Sequence, residues 1–130
     1  MAKPLALTSG EPAGVGPDIA IEAWLRRSEA SLPPFYLLGD RAFFADRARH
    51  IGLKADFAEV GVEEAASAFS TALPVVATGK QATAAPGRPD GSSADAVLAS
   101  IRQSVADVTA GRASSVVTNP IAKSVLYRAG

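Results

Sequence analysis

The chain contains no cysteine. Disulfides, thiolate zinc sites, iron–sulfur clusters and cysteine nucleophiles are therefore excluded from these residues. It contains one histidine, His50. A single imidazole cannot supply a site with two or more histidine ligands, and a serine–histidine–aspartate arrangement would need His50 as its base. Thirteen basic side chains cancel thirteen acidic ones. Zero net charge gives no general pull toward a polyanion or an anionic bilayer, so neither nucleic acid nor membrane is expected as a partner. No segment approaches the roughly 18 apolar residues that span a bilayer. The start, Met1-Ala2-Lys3-Pro4-Leu5-Ala6-Leu7, has one positive charge but no long apolar stretch before the polar run at Thr8. It does not read as a secretory signal, and a cytoplasmic location is expected. Aromatic residues make up only 6%, so the core must come mainly from aliphatic and small side chains.

What is present is 130 residues, 48% hydrophobic and 20% charged. That is one domain's worth of chain, too apolar to stay disordered. Residues 5–8 form a short apolar run, read as a buried strand, that breaks at Ser9-Gly10. A glycine-rich loop follows, and Pro17 suits the first position of a helix that Arg26-Arg27 close. Phe35-Tyr36-Leu37-Leu38 reads as a second strand bounded by Gly39. Asp40 is a candidate N-cap for a helix over 41–51, with Gly52 as its stop. A weak strand is expected near 55–60 and a short helix near 63–69. Residues 73–77 read as a strand in which Pro74 marks an edge or a strand start. A long loop spans 79–93, then a helix runs over 94–110 with apolar positions Ala94, Val97, Leu98, Ile101, Val105 and Val108. A strand over 114–118 leads through Asn119-Pro120 into a last helix that ends near Gly130. This alternation predicts an α/β fold of three layers, a mostly parallel sheet with helices on both faces.

In open parallel sheets, ligands bind beyond the carboxyl ends of the strands. Two loops lie at such ends, and each opens a helix. The first is Thr8-Ser9-Gly10-Glu11-Pro12-Ala13-Gly14-Val15-Gly16-Pro17-Asp18. Its glycines Gly10, Gly14 and Gly16 allow close backbone approach and positive φ, and the helix start offers free N–H groups. It matches neither the dinucleotide fingerprint nor the phosphate loop that ends in Lys-Ser/Thr. Glu11 would repel a bare phosphate, so a ribose hydroxyl or a nicotinamide ring suits it better. The same glycines would also serve a plain tight turn. The second loop is Val116-Val117-Thr118-Asn119-Pro120-Ile121-Ala122-Lys123-Ser124, where Asn119 can cap and Lys123 falls in the first helical turn. A lysine is unfavourable at a helix's positive end unless an anion joins it there; a lysine that simply points to water is the plainer reading. His50 reads as structural or solvated, Trp24 as core, and Arg26, Arg27, Arg41, Arg47 and Arg49 as solvated helix faces.

The segments TSGEPAGVGPDIA (8–20), GRPDGSSADAVLASI (87–101) and SSVVTNPIAKSVLYRAG (114–130) resemble the 4-hydroxythreonine-4-phosphate dehydrogenase family of vitamin B6 (pyridoxine and pyridoxal phosphate) biosynthesis. The resemblance covers the whole chain. It implies a fold like that of the isocitrate and isopropylmalate dehydrogenases, of which residues 1–130 would be the N-terminal portion, a truncated form with the remainder absent. It implies NAD-dependent oxidation and decarboxylation of 4-phosphooxy-threonine to 3-amino-2-oxopropyl phosphate. A divalent metal (zinc, magnesium or cobalt) would polarise the alcohol oxygen, and the family is a homodimer with its active site between subunits. Members are longer. Their metal-binding and substrate-contacting histidines lie beyond the point that matches Gly130, and His50 matches none of them, so the 130-residue chain alone is expected to be inactive. By the resemblance, Gly10, Glu11, Gly14 and Gly16 line the cofactor side of the cleft, Asn119 faces substrate, and Lys123 is the catalytic candidate. A different phosphorylated hydroxy acid or a cis-diol as substrate, and a non-catalytic fragment, stay open as alternatives.

Overall fold

The short apolar runs become strands, and each polar break after them turns the chain into a helix. A computed structural model of the chain describes residues 3–10, 14–79 and 92–119. Within these, β1 (Leu5–Leu7), α1 (Gly16–Leu25), β2 (Phe35–Gly39), α2 (Arg41–His50), β3 (Phe57–Glu59), α3 (Val62–Ala68), β4 (Leu73–Ala77), α4 (Ser92–Thr109) and β5 (Val116–Val117) follow in order. The expected last helix and residues 80–91 of the long loop lie outside the described residues.

The strands form one sheet in the order β3-β4-β2-β1-β5, and every pair is parallel. The register aligns Leu5, Ala6 and Leu7 with Phe35, Tyr36 and Leu37 on one side of β1, and Ala6 and Leu7 with Val116 and Val117 on the other. Strands β1 and β5 are far apart in sequence but adjacent in space, as crossover connections permit.

Side-chain alternation then divides the core in two. Leu5, Leu7, Phe35, Leu37, Leu73 and Val75 face α1 and α2, where Ile21, Trp24, Phe44 and Ala48 close over them. Ala6, Tyr36, Leu38 and Val76 face the other way, toward Val62 and Ala65 of α3 and Val108 of α4. These are the three layers expected from the alternation of strand and helix. Burying such faces supplies the main drive to fold.

Local signals set the boundaries. The Asp40 carboxylate accepts the Ala42 N–H at 3.2 Å and caps α2. Gly52 and Gly111, both at positive φ, end α2 and α4. Pro74 is not at a sheet edge, because β4 lies between β3 and β2. It is the strand's second residue, and pairing with β2 begins one position later, at Val75. The Leu73 N–H goes to Asp56 O on the β3 side. The next N–H would face β2 before its ladder starts, which is where a proline is tolerated.

The long helix departs from its apolar pattern. Ala94 and Val97 are buried as expected, and Ala96 is buried too, but the polar Ser100, Ser104 and Asp107 are also fully buried, and Val105 is 54% exposed. The reason is hydrogen bonding. The Ser100 and Ser104 hydroxyls donate to Val97 O at 2.9 Å and Ile101 O at 2.7 Å. Asp107 accepts the Tyr36 hydroxyl at 2.6 Å, the Gln103 amide at 2.8 Å and the Arg112 guanidinium at 2.9 Å. With these partners the polar face of α4 is buried without leaving a donor or acceptor unpaired. Among the described residues no helix is long and apolar enough to cross a membrane.

Candidate functional site

The carboxyl ends of β1 and β5 lie side by side, and the two loops singled out in the sequence leave the sheet there. Thr8 donates its N–H to Val117 O at 3.0 Å, which extends the ladder one residue past β1. Beyond this point two further bonds tie the loops together. The Asn119 backbone N–H donates to the Thr8 hydroxyl at 3.1 Å. The Asn119 side-chain amide donates to Thr8 O at 2.9 Å.

The start of α1 is pressed into this junction. A Cβ on Gly16 would stand 2.9 Å from Asn119 Cβ and 3.1 Å from Asn119 Cγ, so only glycine lets the helix begin there. Ser9 and Thr8 are buried. The Ser9 hydroxyl donates to Ser100 Oγ of α4 at 3.3 Å, which joins the corner to the opposite helical layer. Gly10 follows at φ +67°, in the left-handed region that glycine enters without strain. Helix α1 starts without a side-chain cap, Val15 being at the N-cap.

One charged pair borders the loop. Arg47 of α2 is 3% exposed, not a solvated side chain as expected from the sequence. Its Nη1 donates to Gly14 O and to the Asp18 carboxylate, each at 2.9 Å. Asp18 sits in the first turn of α1, where the helix dipole favours an anion. An arginine among Asp46, Arg49 and His50 reads as exposed from sequence, and only the packing of α1 on α2 buries it.

Four of the six site candidates fall on described residues. Gly16 and Asn119 touch, Gly10 follows the buried Ser9, and Gly14 is held through its carbonyl. Glu11 and Lys123 lie outside the described residues. The sequence reading missed Thr8 and Arg47. Thr8 carried a weak signal, a buried polar residue directly after the apolar strand and two positions before Gly10. His50 is exposed in the last turn of α2, as expected, and Trp24 is core, with its indole N–H donating to Phe69 O at 2.8 Å.

Beside the corner runs a groove of about 230 Å³, lined by Leu5, Leu7, Ile19, Ala23, Val117 and Asn119. Its walls are almost wholly apolar, so it offers little to a charged ligand; the polar corner above it does. Among the described residues no group of three or more histidine, aspartate or glutamate side chains could hold a metal ion. These residues therefore do not fit a metal site of their own.

Comparison with known proteins agrees with this geometry. Residues 31–130 match the family model described as pyridoxal phosphate biosynthetic protein PdxA. A protein of Bradyrhizobium diazoefficiens named 4-hydroxythreonine-4-phosphate dehydrogenase is 66% identical over 99% of this chain and 40% of its own length. A namesake from Xanthobacter autotrophicus is 50% identical over 98% of this chain and 36% of its own. The crystal structure of a 4-hydroxythreonine-4-phosphate dehydrogenase from Burkholderia phymatum superposes with a TM-score of 0.83 at 17% identity, over 100% of this chain and 40% of that one. The chain thus spans about 40% of the length of such relatives. With both motif loops meeting at one rim of a parallel sheet, and with a family model matched over most of its length, the chain belongs to the PdxA family of pyridoxal phosphate biosynthetic proteins.

Proposed function

We propose that the protein to which this chain belongs oxidises 4-phosphooxy-threonine with NAD and releases carbon dioxide to give 3-amino-2-oxopropyl phosphate. The observation that carries the reading is the junction of Thr8 and Asn119. It brings the two family motifs to one cleft at the carboxyl ends of adjacent strands, where ligands of such sheets bind. The 66% identity to a protein named for this activity supports it.

In this reading the loop of Gly10, Glu11, Gly14 and Gly16 contacts the cofactor. The glycines let backbone N–H groups approach it, and Glu11 suits a ribose hydroxyl or the nicotinamide ring rather than a phosphate. Asn119 faces substrate, and Lys123 supplies positive charge for the phosphorylated substrate or for the reacting oxygen. NAD would be held against this glycine loop and would supply the hydride acceptor for oxidation of the secondary alcohol carbon. The hydroxyl proton leaves to a base or to water, and the carbon becomes a ketone. That ketone stands β to the carboxylate, so loss of carbon dioxide leaves its electron pair as an enolate, which takes up a proton. The reading includes a divalent metal, but the residues described here do not fit one, and no step is derived through it. It also includes a homodimer in the cytoplasm.

The test is turnover by the full-length protein. NADH should form with 4-phosphooxy-threonine, in equal amount with carbon dioxide. Preference for a cis-diol lacking phosphate would replace this substrate by another, and absence of NADH with either would remove the dehydrogenase reading.

A further inference from the structure

We propose that Asn119 meets the substrate as a hydrogen-bond acceptor, through Oδ1, and so reads an N–H or O–H group of the substrate rather than its phosphate. This rests on the reading of the corner as the substrate's site, and it names the group that Asn119 would contact there.

The donors of Asn119 are already engaged. Its backbone N–H goes to the Thr8 hydroxyl at 3.1 Å, and Nδ2 donates to Thr8 O at 2.9 Å. The second bond fixes which way the amide is turned. The opposite setting would put Oδ1 against a carbonyl oxygen, two acceptors face to face. The side chain is also held by packing, because its Cβ and Cγ stand 2.9 and 3.1 Å from where a Cβ on Gly16 would lie. What remains is Oδ1. No donor of the described residues reaches it. No buried side-chain nitrogen or oxygen among them lacks a partner, so Oδ1 is open to solvent. Asn119 is the one polar side chain among the described residues that line the apolar groove beside the corner, so the groove walls supply no donor either. In an apolar pocket, one placed polar atom sets the orientation of the ligand. Nδ2 keeps a second N–H, but a phosphate taking it would stand beside the Thr8 carbonyl oxygen bound to the same nitrogen, and negative oxygens repel. The positive end of α1 already has the Asp18 carboxylate in its first turn. 4-Phosphooxy-threonine carries two donor groups, its ammonium and its secondary alcohol. Either one matches an amide oxygen, whereas its phosphate and carboxylate do not.

The experiment uses the full-length protein and its Asn119→Ala, Asn119→Asp and Thr8→Val variants. Calorimetry in the presence of NADH, so that no turnover occurs, measures binding of 4-phosphooxy-threonine and of three analogues. Each analogue lacks one group: the amino group, the hydroxyl group or the phosphate. Parent and Asn119→Ala form a double cycle with each analogue. Loss of the amino or the hydroxyl group should weaken binding to the parent by about tenfold or more and weaken binding to Asn119→Ala far less. Loss of the phosphate should weaken both proteins by the same factor. The analogue that shows the coupling identifies the donor as ammonium or alcohol. Asn119→Asp keeps an acceptor and Thr8→Val leaves Oδ1 in place, so both should retain the parental preference. Coupling to the phosphate would overturn the proposal. So would equal losses with all four compounds in Asn119→Ala, the mark of a residue that only holds the corner's shape. If Asn119→Ala does not fold, Asn119→Asp decides: the preference kept supports the proposal, and the preference lost overturns it. NADH formation from NAD is measured alongside. NADH without coupling to the amino or hydroxyl group leaves the dehydrogenase reading and removes this proposal, and coupling without NADH does the reverse. If the parent binds none of the compounds, both fall.

Discussion

Asn119 grips Thr8 twice: its backbone N–H donates to the threonine hydroxyl at 3.1 Å, and its side-chain amide donates to the threonine carbonyl at 2.9 Å. The pair joins a strand end near the start of the chain to another more than a hundred residues later. It does so one step beyond the last ladder bond, so the two loops leave the sheet as a unit. Thr8 is 1% exposed. Thr8→Val keeps the shape and removes the acceptor, and should destabilise the full-length protein by about 1–3 kcal/mol, the cost of a polar group left without its partner. Asn119→Ala should cost about 1 kcal/mol for the side-chain bond alone. Urea denaturation measures both, and a neutral Thr8→Val would show that the junction does not hold the corner.

Gly16 and Gly61 should respond in opposite ways to the same added methyl group. At Gly16 it would meet the Asn119 side chain at 2.9 Å, close to the backbone, with little freedom to yield. Gly16→Ala should therefore cost about 1–3 kcal/mol and impair ligand binding. At Gly61 the nearest atom is the far end of the Glu63 side chain, 3.1 Å away, which can swing aside. Gly61→Ala should stay within about 0.5 kcal/mol of the parent. Equal effects in a denaturation series would contradict the packing at the start of α1.

Tyr36 and Asp107 give a signature in alkaline solution. Burial pushes the Tyr36 phenol well above its usual range, and the hydrogen bond to the Asp107 carboxylate raises it further. The folded protein thus keeps a proton that the unfolded chain releases near pH 10. Stability from this group is present in full below that pH and is lost as pH rises above it, at up to about 1.4 kcal/mol per pH unit. Tyr36→Phe should be less stable at neutral pH by about 1–3 kcal/mol, because Asp107 loses a donor. Its stability should then fall less steeply above pH 10. Parallel alkaline slopes for the two proteins would contradict the assignment.

A polypeptide of these 130 residues alone should form no NADH from 4-phosphooxy-threonine, even at stoichiometric amounts of protein. It has one histidine, exposed at the end of α2, and its described residues hold no cluster fit for a metal. Detectable NADH would show that the catalytic groups lie nearer than the family pattern implies.

Much of the fold is legible in the sequence. Leu5–Leu7, Phe35–Gly39 and Leu73–Ala77 are short apolar runs bounded by polar or turn residues, the pattern of strands covered on both faces. Asp40 and Gly52 marked the limits of α2 because capping and left-handed stops depend on the local residue alone. The adjacency of β1 and β5 was less legible, because crossover connections carry no local sign of which strands become neighbours. The polar face of α4 was hidden for a related reason. Asp107 is apolar-compatible only once Tyr36, Gln103 and Arg112 surround it, and those partners come from different elements. Arg47 shows the same limit at the site: nothing beside it in sequence announces Gly14 or Asp18.

The most direct measurement is a crystal structure of the full-length protein with NAD and 4-phosphooxy-threonine bound. Both ligands should lie over the corner where Thr8 holds Asn119, with the cofactor against Gly14 and Gly16 and the phosphorylated substrate within reach of Asn119 and Lys123. Ligands bound at the opposite rim of the sheet, or a separation of the two loops when they bind, would contradict it.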